Sequence, residues 1–208
     1  MTEQNPFAEK ELAGGHLALD FANTAGVHGD EPESEWLTGY TDLVWWGLRA
    51  GAVDESEARA LFAAAEAGPD DAAAVFARAI TLRETVYRVF SPICHGACAG
   101  EKDLAVLNAE LALALPHLRV VREGEEGYAW AWEGEGLDRV LWPVVRAATD
   151  LLTSGDLVRI GECEGDRCEW LYLDTSRNRS RRWCVMSDCG NRAKARRHYH
   201  RTRAGAEG

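Results

Sequence analysis

Apolar positions recur three and four residues apart in five stretches of the chain, and each stretch meets a residue type that stops a helix. Residues 38–50 place Tyr40, Leu43 and Trp46 on one side, with Gly51 behind them. Residues 54–68 open on Asp54 with Glu57 three positions later, the spacing of a capping box, and end at Gly68-Pro69. In 71–90, Val75, Ala79, Arg83, Val86 and Phe90 keep the helical period, and Ser91-Pro92 is expected to interrupt it. Residues 102–115 carry a narrow stripe of Leu104, Leu107, Leu111 and Leu115. In 137–155 the apolar face is broad, and Pro143 should kink the helix or mark its first turn.

Other segments alternate. Residues 118–123 and 128–133 read as two strands joined through Gly124-Glu125-Glu126-Gly127, a hairpin. Residues 14–24, GGHLALDFANT, put Leu17, Leu19 and Phe21 at alternate positions, which suits a short strand. A helix start is the competing reading, with Leu17, Asp20, Phe21 and Thr24 on one side. The residues before about position 11 show no period and read as a flexible arm or an edge segment. The expected fold is mainly α with a small β-hairpin: a helical N-terminal domain over 1–157 and a C-terminal module over 158–208.

Six tryptophans fall in the helical part, and most should be core. The functional alternative is an aromatic-walled cavity for a small-molecule effector, for which His16, Asp20, Asn23 and Trp46 are the candidate lining residues. Asp20 and Asn23 also suit a plainer role, capping a helix or tying down a turn through local backbone bonds.

Charge divides the chain in the same place. The net charge of −11 alone disfavours a nucleic-acid partner, but residues 1–158 hold 11 basic and 27 acidic side chains while 159–208 hold 12 and 7. Within 176–203 ten basic residues face Asp188 alone, the asymmetry expected when one module meets a polyanion. Hydrophobic residues make up 46% of the 208, enough for a packed core. No apolar run approaches the roughly 20 residues of a membrane span, and the polar, acidic N-terminus is unlike a signal peptide, so the cytoplasm is the expected compartment.

In that compartment thiols stay reduced and available to metal. Cys163/Cys168 and Cys184/Cys189 each enclose four residues, with fifteen residues between the pairs. Zn²⁺ takes four tetrahedral thiolates, and two such turns brought together by a return of the chain supply them. Two disulfides are the alternative, disfavoured by compartment. Cys94 and Cys98, with His95 between them, lack an evident fourth ligand and read as ordinary thiols.

The segment DTSRNRSRRWC followed by CGNRAKARR resembles the CGNR zinc-finger family, named for Cys189-Gly190-Asn191-Arg192. GGHLALDFANT similarly resembles the start of the ABATE-type domain that precedes this finger. The resemblance implies one structural zinc and a DNA-binding module at the end of a bacterial transcription regulator. The knuckle, the return and the ligand at a helix start also resemble a treble-clef finger.

Arg177, Arg179, Arg181 and Arg182 precede the second knuckle; Arg192, Lys194, Arg196, Arg197, Arg201 and Arg203 fall on the expected helix 191–203. Its Arg192, Arg196, Tyr199 and Arg203 share one stripe and Lys194, Arg197 and Arg201 another, a circumference suited to a groove lined by phosphates. Some of these arginines, Arg192 first, could instead stabilise the thiolates, and docking on the chain's own acidic body is a further alternative. The function expected is a zinc-dependent DNA-binding regulator whose body senses a ligand or dimerises. An RNA-binding or protein-docking module is the runner-up, with stacking on Trp170, Trp183 or Tyr199. His198 and His200 are weak substitutes for a cysteine ligand. An enzyme is disfavoured, because four thiolates close the zinc shell and no phosphate loop or nucleophile elbow is present.

Overall fold

A computed structural model describes residues 5–28, 34–124 and 127–204, the side chains of residues 198, 200, 203 and 204 excepted. The turn residues Glu125 and Glu126, and the side chains of His198, His200 and Arg203, therefore lie outside the described residues. Seven α-helices and two small hairpins appear among them: α1 (Leu17–Ala22), α2 (Tyr40–Ala50), α3 (Glu55–Ala67), α4 (Pro69–Cys94), α5 (Glu101–Ala114), β1 (Leu118–Glu123), β2 (Gly127–Trp132), α6 (Leu141–Leu152), β3 (Ile160–Glu162), β4 (Leu171–Leu173) and α7 (Asn191–Ala204). None of the described helices is long and apolar enough to cross a membrane.

Local chemistry sets the helix ends. Gly51 takes a left-handed conformation (φ 74°) and returns its N–H to the Gly47 and Leu48 carbonyls, closing α2. At α3 the Asp54 carboxylate accepts from the Ser56 and Glu57 N–H groups while Glu57 accepts from the Asp54 N–H, the full capping box. Pro143 falls in the first turn of α6, where a missing N–H costs nothing, and a 3₁₀ turn, Leu137–Val140, leads into it.

The longest helix, α4, is the hub: it packs against α1, α2, α3, α5 and α6 and against both β3 and β4. The core around it holds Phe21, Trp46, Leu82, Phe90, Leu141 and Trp142, and it extends across the chain's charge boundary to Ile160 and Leu171. The β1–β2 hairpin pairs Leu118 with Trp132 and Val120 with Trp130, as the alternation predicts. It stands largely exposed.

Of the two readings of residues 14–24 the helix holds: α1 is buried from Ala18 to Ala22, so no polar face exposes the 3.6-residue period. Two expectations are corrected. Helix α4 runs through Pro92 to Cys94, because a proline in the last turn removes one bond instead of breaking a ladder. The residues before position 11 are not a free arm where described. Phe7 is buried against Trp36, and Asn5 donates its amide to the Trp45 carbonyl at 3.1 Å.

Candidate metal centre and basic helix

Two knuckles meet beside the β3–β4 hairpin. Cys163 follows β3 and Cys168 precedes β4; Cys184 comes just before the wide π-type turn Met186–Gly190, which contains Cys189 and leads into α7. The four sulfurs all lie within 4.8 Å of one another, with Cys168 to Cys184 at 3.6 Å and Cys184 to Cys189 at 3.7 Å. A tetrahedron of Zn–S bonds near 2.3 Å has edges of about 3.8 Å, so the spacing fits one Zn²⁺.

The electrostatics call for a cation. Thiol hydrogen bonds from Cys168 and Cys184, then N–H groups of Cys184 and Gly165, hold the Cys163 thiol far below its ordinary range. The same contacts with Cys163 push Cys168 up to about 12 and raise Cys184 as well. Four sulfurs this close cannot all ionise alone, whereas a bound Zn²⁺ stabilises every thiolate. The backbone completes the cradle: Gly165 and Cys184 donate N–H to the Cys163 sulfur at 3.4 and 3.3 Å. A Cβ on Gly165 would sit 3.0 Å from the Cys189 sulfur, so a side chain there crowds the ligands. The Arg192 guanidinium reaches the Cys189 sulfur at 3.0 Å, the role foreseen for it. The four cysteines thus form a site able to bind one structural zinc ion, and Tyr172, Ala13, Trp170 and Trp183 enclose it.

Cys94 and Cys98 are free cysteines. Cys94 is half-buried at the end of α4, bonded to the Phe90 carbonyl, and burial pushes its thiol up to about 12; Cys98 is exposed.

The basic residues divide into two kinds. Arg181, one of the arginines expected to meet nucleic acid, acts within the chain as a structural staple. Its guanidinium donates to the carbonyls of Ala13 (2.7 Å), Trp183 (3.1 Å) and Cys184 and lies 4.4 Å over the Tyr172 ring. Arg182 pairs with Glu164, Arg196 with Asp166, and Arg192 with Asp188, so knuckle acids neutralise three more. Arg177, Arg179, Lys194, Arg197 and Arg201 are exposed with no acid partner among the described residues. The first two ride on the loop 175–180, whose ends are fastened by Asp174 accepting from the Ser176 and Arg181 N–H groups at 2.8 and 2.9 Å. Helix α7 stands clear of the acidic body: among its described side chains only Ala193 is buried.

Of the proposed pocket residues, Asp20 and Asn23 have hydrogen-bond partners inside the chain, whereas His16 Nδ1 and Trp46 Nε1 are buried without one among the described residues. Asp20 accepts from the Gly14 N–H at 2.7 Å, and a Cβ at Gly14 would meet the Asp20 nitrogen at the same distance, hence the glycine. Asn23 donates to the Leu171 carbonyl and accepts from the Leu171 N–H, both at 2.8 Å. Trp46 is buried against Phe21, and His16 is half-buried at the start of α1. A surface cavity of about 740 Å³ lies elsewhere, walled by Tyr40, Trp45, Phe62 and Phe76.

What sequence reasoning missed is the junction itself. Besides Asn23, Gly14 accepts from the Leu173 N–H, Trp170 donates to the Ala25 carbonyl, and Glu169 accepts from the His28 N–H. An asparagine within an apolar run was the visible signal; its partner lies 148 residues away.

Two family models match along the chain. The CGNR zinc finger matches residues 159–202, and the ABATE family, described as "Putative stress-induced transcription regulator", matches residues 15–155. Among curated proteins no sequence matches. With more than half its length matched by one model and its four-cysteine site by the other, the chain belongs to the ABATE family and ends in a CGNR zinc finger.

Proposed function

We propose that this protein is a zinc-dependent DNA-binding transcription regulator acting in the cytoplasm, in which residues 158–208 grip DNA and residues 1–157 form a domain that senses a small effector. One observation carries the reading: a rigid sulfur cage holds an exposed helix and loop on which Arg177, Arg179, Lys194, Arg197 and Arg201 have no acid partner among the described residues. Cations held in one geometry without internal counter-charges favour a polyanion. If all five neutralise phosphates, log affinity falls with log salt at a slope of about −4.5.

Duplex DNA is favoured over single-stranded RNA because two of the three rings suited to stacking are engaged, Tyr199 being the one largely exposed (57%). Trp170 is tied to the Ala25 carbonyl and edge-packed on Trp36, while Arg182 and Arg197 lie over Trp183. Those two rings are not free for base stacking. The aromatic cavity by Trp45 is the place we assign to an effector in the body. Fluorescence anisotropy with labelled duplex DNA across a salt series tests the reading, with single-stranded RNA as competitor. A salt-independent signal, or better competition by RNA than by unlabelled duplex, overturns it.

A further inference from the structure

Backbone strain singles out one of the finger's exposed cations. Among the described residues, Arg167 (φ 55°) and Arg179 (φ 48°) are the non-glycine residues with positive φ. Arg167 lies inside the first knuckle, where the turn that brings the Cys168 N–H to the Gly165 carbonyl at 3.3 Å accounts for it. Arg179 lies outside both knuckles. Its left-handed conformation is one that glycine or asparagine adopts at least cost. A turn that only reversed the chain would carry either of them there. Instead Asn178 stands one residue earlier and an exposed arginine takes the strained place. Strain of this kind gathers at sites that bind.

The turn is held rigid from beneath. Asp174 is buried and accepts from the Ser176 and Arg181 N–H groups at 2.8 and 2.9 Å. The Ser176 carbonyl accepts from the Arg179 N–H at 3.4 Å, and its hydroxyl from the Ser180 N–H at 3.2 Å. These bonds engage main chain, Asp174 and Ser176. The side chains of Arg177, Asn178 and Arg179 stay exposed at the tip, with no acid partner among the described residues.

We propose that this turn is a minor-groove prong: Arg177 and Arg179 enter the minor groove of A·T-rich duplex DNA while Lys194, Arg197 and Arg201 of α7 lie along the phosphates. The assignment rests on the duplex-DNA function proposed above and adds which groove and which base composition the finger selects. A four-residue turn is too narrow to fill a major groove about 12 Å wide, whereas extended guanidinium arms enter a minor groove about 6 Å wide. That groove is narrowest and most negative over A·T tracts. A guanidinium also sheds water more readily than an ammonium, which favours arginine at both tip positions. Asn178 between them is a residue type that reads minor-groove acceptors, and the N2 amino group of guanine obstructs the same floor. Helix α7 has the calibre of a major-groove reader, but its neutral polar side chains are engaged within the chain. Asn191 donates to the Ser187 carbonyl at 3.0 Å and Thr202 to the Tyr199 carbonyl at 2.9 Å. Cations in the groove displace counterions as cations on phosphates do, so the expected salt slope stands.

Anisotropy of the zinc-loaded full chain with three duplexes of equal length tests the prong. One duplex is A·T, one G·C and one inosine·cytosine, which keeps the major-groove pattern of G·C but lacks the minor-groove amino group. A·T and inosine·cytosine should bind alike, and about tenfold or more tighter than G·C. Arg179→Gly suits the left-handed position, so zinc content and the thermal transition should match the parent protein while the preference falls toward unity. Arg177→Ala should reduce the preference as well. Lys194→Ala with Arg201→Ala should weaken all three duplexes equally and leave the ratio intact. Salt-dependent binding that is equal for the three duplexes, or inosine·cytosine grouping with G·C, overturns the prong and leaves the DNA function standing. A preference that survives both Arg179→Gly and Arg177→Ala also overturns it. No binding to any duplex overturns both.

Discussion

The body and the finger of this protein are held together by opposite means. The body closes around a continuous apolar core in which Phe21, Trp46, Phe90 and Trp142 are buried, so its stability comes from area removed from water. The finger has a buried cluster of only Ala13, Cys163, Tyr172, Cys184 and Cys189, and two strands of three residues each. A module that small cannot fold on apolar burial; a metal ion and guanidinium-to-carbonyl bonds replace the core. The difference explains the charge asymmetry as well. A module that does not depend on apolar area can leave a helix almost wholly exposed and give its surface to cations.

The comparison breaks most sharply at the metal. Cys184→Ser, or removal of zinc by a chelator, should unfold the finger, with apparent stabilisation on the order of 10 kcal/mol lost. The helical circular dichroism of the body should survive in large part, though its transition should fall because Ile160 and Leu171 leave the shared core. Finger amides exchanging fast while α4 amides stay protected would confirm the division.

Next in size is the seam. Asn23→Ala strands the buried N–H and C=O of Leu171, at roughly 4 kcal/mol for two unsatisfied groups. Chemical denaturation should then lose its single transition, the finger loosening before the body. One transition at unchanged midpoint would show that the seam contributes nothing.

Asp20 sharpens the contrast through pH. Burial pushes its carboxyl up to about 6, against hydrogen bonds from the Gly14 and His16 N–H groups. A raised carboxyl pKa means that the folded state holds the proton more tightly than the unfolded chain. This contribution is therefore complete below about pH 4 and is lost as pH rises through 6, by on the order of 2–3 kcal/mol. Asp20→Asn keeps an acceptor for Gly14 and should abolish the decline. The stability difference between variant and parent, followed from pH 5 to 7.5, isolates it, because every other carboxylate is common to both.

The smallest effect on folding is expected where the effect on binding is distinct. Lys194→Ala with Arg201→Ala should change stability by less than about 0.5 kcal/mol. The same pair should flatten the salt slope by about 0.9 per cation removed. Arg181→Ala should do the reverse, costing stability through the carbonyls it leaves unbonded, and the two outcomes separate surface cations from structural ones.

Much of this was legible from residues. The capping box at Asp54 and Glu57, the Gly51 stop, Pro143 in a first turn and the hairpin all follow from local rules that act over a few positions. The four cysteines announce the metal because thiolate spacing is a chemical constraint. What stayed hidden depends on distance or completeness of burial. Helix α1 shows no polar face because none exists, so its pattern leaves strand and helix equally open. Arg181 is indistinguishable in sequence from Arg179, yet one bonds four carbonyls, those of Ala13, Leu173, Trp183 and Cys184, and the other faces solvent. Asn23 bonds a strand that no local rule connects to it.

The account turns on a zinc-held set of cations meeting phosphates. Duplex-DNA anisotropy measured across a salt series, with zinc loaded and with zinc stripped, tests it most directly. Loaded protein should bind with a log–log slope near −4.5, and stripped protein should lose that binding. A flat slope, or equal binding after the metal is removed, would contradict it.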